Sequence, residues 1–268
     1  MVSTDAFVED VHFTWSLHAP AVVGRRALVA NLSDLAAMGA RPIAFTCAMS
    51  APPSLPLRRF DGVLDGLLRA ADEYGCPLVG GNLTRGAAVH LAIAVIGAIG
   101  RGRALRRDAL RPGDRLFVTG ALGRSALDWL RAEKRGRGVR HVAVPRLAAG
   151  RALARMRVRC ACIDLSDGLA GDVLHLAEAS GVGVEIDARA LPWPKGFARG
   201  CAALGRDPVD LAASGGEDYE LLFGLPPRAG LTEAVLSRRL GVAVTEIGRA
   251  TRSPGVRGLG GARAFRHW

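Results

Sequence analysis

Only five cysteines occur in the 268 residues, at positions 47, 76, 160, 162 and 201. An odd, scattered set does not make a disulfide framework and points to a reducing, cytoplasmic setting. Cys160-Ala-Cys162 lacks the CxxC spacing and a second pair, so it reads as alternating positions of a strand rather than a metal site. No apolar run reaches bilayer length before Arg, Gly or Pro interrupts it, so a soluble chain with no membrane contact is expected. The first ten residues have neither a basic start nor a long apolar core, which argues against a secretory signal. With only two Tyr there is no aromatic stacking platform, and no zinc finger is present. The net charge of +11 comes from Arg spread along the whole chain. Its densest patch, Arg131 to Arg140, reads as a solvated loop, so a nucleic-acid partner is not expected, although the charge favours approach of anionic substrates. Also missing are the GxxxxGK phosphate loop, an HExxH zinc motif and a GxSxG nucleophile elbow.

What is present is apolar, glycine-rich and punctuated by aspartate. The chain is 49% hydrophobic with 34 Gly, enough for one large domain or two ordinary ones. The stretch Asn31-Leu-Ser-Asp34-Leu-Ala-Ala-Met-Gly39 reads as the end of a helix over Ala21 to Met38. Ala27, Leu28, Leu32, Leu35 and Met38 recur at helical spacing, Gly39 suits a left-handed end, and Pro42 forbids continuation. Asn31 and Asp34 share a face of that helix. The pattern returns half a chain later in Ile163-Asp164-Leu-Ser-Asp167-Gly-Leu-Ala170. Two halves that each offer carboxylates at an element end suggest one acidic cleft for metal ions and phosphates.

Strands are expected over residues 2–8, 43–49, 89–99, 115–120, 158–165, 182–186 and 242–247, with a Gly turn at 215–216 running into another near Phe223. Helices are expected over 57–74, 121–132, 168–180 and 231–240, a largely helical stretch after Pro145, and short pieces at 198–204 and 208–214. In the 57–74 helix the inward stripe is Phe60, Val63, Leu64, Leu67, Leu68 and Ala71. Gly80 to Gly86 reads as a turn, and the basic run 101–112 as the boundary between lobes 1–112 and 113–268. The mixture gives an α+β chain of two lobes, a mixed-sheet lobe followed by an α/β lobe.

Three further clusters carry open readings. Ser3-Thr4-Asp5 is either surface or a ligand group. Gly80-Gly81-Asn82-Leu-Thr84-Arg85 is either a turn or a place where backbone N–H groups approach a phosphate and Asn or Thr oxygens approach a metal. Gly215-Gly216-Glu217-Asp218 is either a turn or a pair of carboxylates for a cationic group. Hard oxygen donors favour Mg²⁺ over zinc.

In order along the chain, Ser3-Thr-Asp5-Ala-Phe-Val-Glu9-Asp-Val-His12-Phe13, Asn31-Leu-Ser-Asp34-Leu-Ala-Ala-Met-Gly-Ala40, Gly80-Gly81, Arg107 before Arg111-Pro-Gly-Asp114, Asp164-Leu-Ser166-Asp167-Gly168 and Gly216-Glu217-Asp218-Tyr219-Glu220-Leu221 closely resemble the thiamine-monophosphate kinases. That family belongs with aminoimidazole ribonucleotide synthase and selenophosphate synthetase. The resemblance implies a two-lobed synthase-like fold that dimerises through the sheet of its first lobe. It implies ATP- and Mg²⁺-dependent phosphorylation of thiamine monophosphate to thiamine diphosphate by direct in-line transfer. By matching motif, Ser3, Thr4, Asp5, Asp34, Asn82, Asp164 and Asp167 would hold metal. Gly81, Asn82, Arg107 and Ser166 would contact ATP. His12, Glu217 or Asp218, and Phe265 or Trp268 would meet the substrate, a carboxylate and an aromatic face suiting a thiazolium cation.

The chain departs from the family pattern in three places. Family members carry a lead segment with a Gly-Asp-Asp motif before the strand that begins here; Asn82 stands where they have Asp; and Asp10 stands where they have Gly. The alternative is a relative that binds nucleotide or thiamine phosphate without turnover. A sister activity on another small substrate is a third reading. Against it, the reactive N-terminal Cys of selenophosphate synthesis and the tail motifs of the purine and hydrogenase-maturation relatives are absent.

Overall fold

The computed structural model describes residues 1–136 and 138–260. The first lobe comprises β1 (Val2–Val8), α1 (Pro20–Ala37), β2 (Arg41–Ala51), α2 (Leu57–Tyr74), β3 (Leu78–Arg85) and β4 (His90–Ala98). Its mixed sheet has the order β1-β4-β2-β3, parallel only between β2 and β3. The second lobe comprises β5 (Arg115–Thr119), α3 (Arg124–Arg135), α4 (Leu147–Arg155), β6 (Ala161–Asp164), α5 (Leu169–Ser180), β7 (Gly183–Ile186), α6 (Phe197–Ala202), α7 (Pro208–Ser214), β8 (Leu221–Leu225), α8 (Glu233–Leu240), β9 (Val244–Thr251) and β10 (Gly255–Arg257). Its six strands run β10-β7-β9-β5-β8-β6. No helix among the described residues is long and apolar enough to cross a membrane.

Helix α1 is the keel between the lobes. It is buried on nearly all sides, as a helix apolar around its circumference must be. It touches β1, β2 and β4 of its own sheet, α2 beside it, and α4 and β6 of the second lobe. The central strands β5, β6 and β8 of the second sheet are buried on both faces, so they read as continuous apolar runs with a hidden period of two. Phe117, Cys162 and Phe223 face the shared core with α1, while Leu116, Val118, Ile163 and Leu222 face a separate core under α5. All five cysteines are free and buried, Cys162 within β6 and Cys160 just before it.

Several expectations change. Gly80 to Gly86 is not a turn: residues 78–85 pair with β2 as an edge strand. Gly81 allows the close pairing, because a Cβ there would lie 2.0 Å from the Cys47 carbonyl oxygen. Leu68, expected inside, is 43% exposed on the solvent side of α2. Residues 131–135 extend α3 rather than forming a loop, and β10 lies in a Gly- and Arg-rich stretch with no strand pattern.

The α1–α2 contact has a built-in test. A Cβ at Gly24 would lie 1.9 Å from the Val63 carbonyl oxygen, and one at Gly66 would lie 1.9 Å from that of Ala21. The two backbones meet through glycine from both sides. Gly66→Ala therefore forces the helices apart and lowers the unfolding free energy by roughly 2–3 kcal/mol or more, measured by urea denaturation. Gly75→Ala, with open space around its Cβ, loses only the left-handed helix end, about 1 kcal/mol.

Candidate active site

Strand alternation on β1 decides which of its polar residues lie on the α1 side of the sheet. Ser3, Asp5 and Phe7 pair with Val95, Ile93 and Leu91, the buried face of β4. The Ser3 hydroxyl donates to the Asp34 carboxylate at 2.5 Å, so strand and helix deliver their polar groups to one place. Thr4 pairs with Ala94 and turns to the opposite face, its hydroxyl donating to the Ile93 carbonyl at 2.9 Å. Any metal contact by Thr4 is therefore not made by its side chain in this arrangement.

Asp164 ends β6, directly across from the last turns of α1. Its carboxyl is pushed up to about 6 by burial and then by the Asp34 charge, while Ser33 and Arg107 partly offset the rise. Ser33 acts there as a nearby dipole whose geometry falls short of a full hydrogen bond. Asp34 is raised by burial and by Asp5, against the Ser3 hydrogen bond and the Arg107 charge. Past Gly168 the chain enters α5, where Asp172 is pushed up to about 8 by burial and by Asp164 and Asp167. Asp5, Asp34, Asp164, Asp172 and Asp167 are thus linked neighbour to neighbour in one like-charged field spanning both lobes, with Arg107 the cation beside it. Asp172 was not expected from the sequence; it stands five residues after Asp167, in the first turn of α5.

The residues fit Mg²⁺. Every donor is a hard oxygen, the carboxylates repel one another, and the Asn31 side-chain oxygen is buried without a hydrogen-bond partner. No three His, Cys, Asp or Glu side chains among the described residues form a closed cage. Mg²⁺ does not need one, because it keeps waters and takes one or two carboxylates together with substrate phosphates.

The loop after β6 is laced to the loop before β8. Ser166 and Leu165 carbonyls accept from Glu217 and Tyr219 N–H at 2.7 and 2.9 Å. Glu217 (φ 64°) and Tyr219 (φ 50°) occupy the left-handed region, a strain of order 1–3 kcal/mol each. Glu217 is held by an ion pair with Arg26 of α1, which is itself buried, lies 5.3 Å over the Phe7 ring and donates to His18 Nε2. Glu217 lines a small interlobe cavity with Arg26, Trp129, His141 and Tyr219. His18 and His141 are each lowered to about 4, by burial first and then by Arg26 and Arg124 respectively, and so are neutral. His12 lies on the β1 side, its Nδ1 accepting from Val8 N–H at 3.1 Å and its ring stacked on Phe7.

Three expectations separate from this cluster. Asp218 does not face the cavity: it is buried and accepts from Gly123 N–H at 2.5 Å and Ser125 N–H at 3.2 Å, standing in as the cap that α3 lacks. Gly81 lies in the row Asp5–Ile93–Cys47–Gly81, three strand spacings or roughly 14 Å from Asp5. The register of one chain therefore does not carry Asn82 to the carboxylates. Phe265 and Trp268 lie outside the described residues. Asp10, where the resemblance implies Gly, has φ 63°, the conformation that favours Gly.

Asp218 gives the pH prediction. Burial pushes it up to about 7, against the two N–H donors. A carboxyl raised on folding contributes stability that is present below its unfolded value near 4 and is lost as pH rises through 7. Asp218→Asn keeps an acceptor for the helix and removes the titration. Wild type is expected to lose stability relative to Asp218→Asn between pH 5 and pH 8, by a few kcal/mol, in urea denaturation at the two pH values. Parallel curves would show that Asp218 is ionised at no cost.

Residues 1–101 match the AIR synthase related protein, N-terminal domain, and residues 111–260 match the AIR synthase related protein, C-terminal domain. The chain is 36% identical over 269 residues to the thiamine-monophosphate kinase of Synechococcus elongatus, covering 95% of this chain and 80% of that one. It is 38% identical over 232 residues to the enzyme of the same name from Mycobacterium tuberculosis, covering 83% and 68%. The solved structure of AaThiL complexed with AMPPCP and TMP matches it with a TM-score of 0.85 at 29% identity, over 100% of this chain and 86% of that one. The chain belongs to the thiamine-monophosphate kinase family, enzymes built on the two-lobed AIR synthase fold.

Proposed function

We propose that this chain transfers the terminal phosphoryl group of ATP directly to the phosphate of thiamine monophosphate, giving thiamine diphosphate. The observation that supports it most is the run of mutually repelling carboxylates from β1, α1, β6 and α5. Two polyanions cannot approach such a surface unless cations stand between them. Asp5, Asp34, Asp164 and Asp167 are the residues that would hold Mg²⁺, and Asp172 would support them. When bound, Mg²⁺ supplies charge neutralisation between phosphate oxygens.

The remaining work is positioning. Arg107, already near Asp34 and Asp164, would steady the ATP phosphates, with Ser166 beside them. Glu217 and His12 would orient the thiamine end, Glu217 offering its carboxylate to the cationic ring. The acceptor is itself a phosphate, ionised at neutral pH, so no general base is required. Orientation and exclusion of water account for the rate.

A second reading, binding without turnover, is favoured by Asn82, whose amide adds no charge where the resemblance implies a carboxylate. We also propose a homodimer formed through the first sheet. Strand β3 is exposed along its whole length, with Val79 at 62% and Leu83 at 65%. An apolar open edge of this kind is ordinarily covered.

With ATP, thiamine monophosphate and Mg²⁺, thiamine diphosphate should form and be separable by chromatography. EDTA should abolish it, and Asp164→Asn should lower turnover by roughly 100-fold or more. Binding of both substrates by calorimetry with no product would leave the second reading. Light scattering should give twice the 28.1 kDa chain mass, and Val79→Asp with Leu83→Asp should give the monomer; a wild-type monomer would remove the dimer.

A further inference from the structure

We infer that the second lobe carries a second anion site, a cleft built for a compact polyphosphate chain. Arg131, Lys134 and Arg135 on the last turns of α3 face Lys195 and Arg199 at the start of α6 across a cleft of about 540 Å³, within the size range of ligand sites. No carboxylate lines it. Among the described residues none of the five cations has a carboxylate within ion-pair distance. Five like charges facing one another without counter-charge raise the local potential, which an anion relieves.

The two walls touch. The Arg131 guanidinium lies against Gly200, where an added Cβ would come within 2.2 Å of its Nη2. Lys134 Nζ donates to the Ala203 carbonyl at 3.1 Å, which ties one cation to the opposite wall and leaves it two donors. The composition adds an independent sign. Lys134 and Lys195 are the only two lysines in the sequence, which otherwise uses Arg as its cation. Both fall in this one cleft. A lysine head is a compact point charge with rotatable donors, suited to the many equivalent oxygens of a phosphate chain, whereas the arginine fork suits a single planar face.

The ligand class follows from what else lines the site. No aromatic ring is there to stack on a base. The site therefore recognises phosphates and not nucleobases. It is also apart from the Glu217–Asp218 loop, since α3 starts beside Asp218 and its last turn lies roughly 15 Å further on.

Having only two lysines makes the test site-resolved. Amines are acetylated with and without tripolyphosphate in Mg²⁺-free buffer, and the modified positions are read by mass spectrometry. Acetylation of Lys134 and Lys195 should slow roughly fivefold or more, with the amine of Met1 as the internal control. AMPPCP in a parallel arm separates sources. Equal protection means the phosphate tail of a nucleotide is accepted, and protection by tripolyphosphate alone means a free polyphosphate. The variant Lys134→Gln/Lys195→Gln should bind tripolyphosphate roughly tenfold more weakly by calorimetry while kinase turnover is unchanged. Unprotected lysines, slowing at Met1 as well, unchanged affinity in the variant, or protection by a short single-stranded RNA but not by tripolyphosphate would each overturn the proposal.

Discussion

Carboxylates crowded around the buried Asp164 and Asp172 are the constraint on which the rest of this molecule depends. Asp34 and Asp164 come from different lobes, and the Asp34 charge adds to burial in making Asp164 harder to ionise. Asp5 extends the field on one side, and Asp172 with Asp167 on the other. Burial of unpaired charge is expensive, and hydrophobic packing elsewhere must carry the cost. That packing is concentrated on α1, whose apolar circumference is enclosed by the first sheet, α2, α4 and β6. The helix that stabilises the fold also presents Asp34, so core and site are fixed by one element.

The interlobe geometry has a second clamp. Arg26 of α1 is buried beneath Phe7 and reaches Glu217, which sits in a strained loop bound backbone to backbone with the segment after Asp164. Arg146 holds the buried Glu220 three residues further on, sharing it with the Thr119 hydroxyl. The strain at Glu217 and Tyr219 is maintained by these partners. A loop held this way keeps its carboxylate in place without relying on the substrate to order it, which favours orientation over induced closure.

Much of this was legible in the sequence where the signal is local. The α1 and α2 spans followed from helical period and from Gly39 and Gly75, and the second acidic string contains Asp164, whose carboxyl lies in the field of Asp34. What was not legible depends on pairing between distant segments. Residues 78–85 look like a turn until β2 offers them an edge. Asp218 resembles a binding carboxylate until α3 proves to start without a cap of its own. Arg26 reads as one of many surface arginines because nothing local distinguishes the one beneath Phe7. Thr4 could have been assigned to the far face by alternation alone, since its neighbours Ser3 and Asp5 share the opposite parity. The basic cleft was hidden for the same reason as Asp218, because its two walls lie some sixty residues apart in the chain.

The most direct test of the carboxylate field is whether it demands a cation before it tolerates a phosphate chain. Calorimetric binding of AMPPCP should be strong with Mg²⁺ and weaker by roughly tenfold or more in EDTA, and the difference should shrink when Asp34 and Asp164 are both replaced by Asn. Equal binding of AMPPCP with and without Mg²⁺ in the wild-type protein would contradict it.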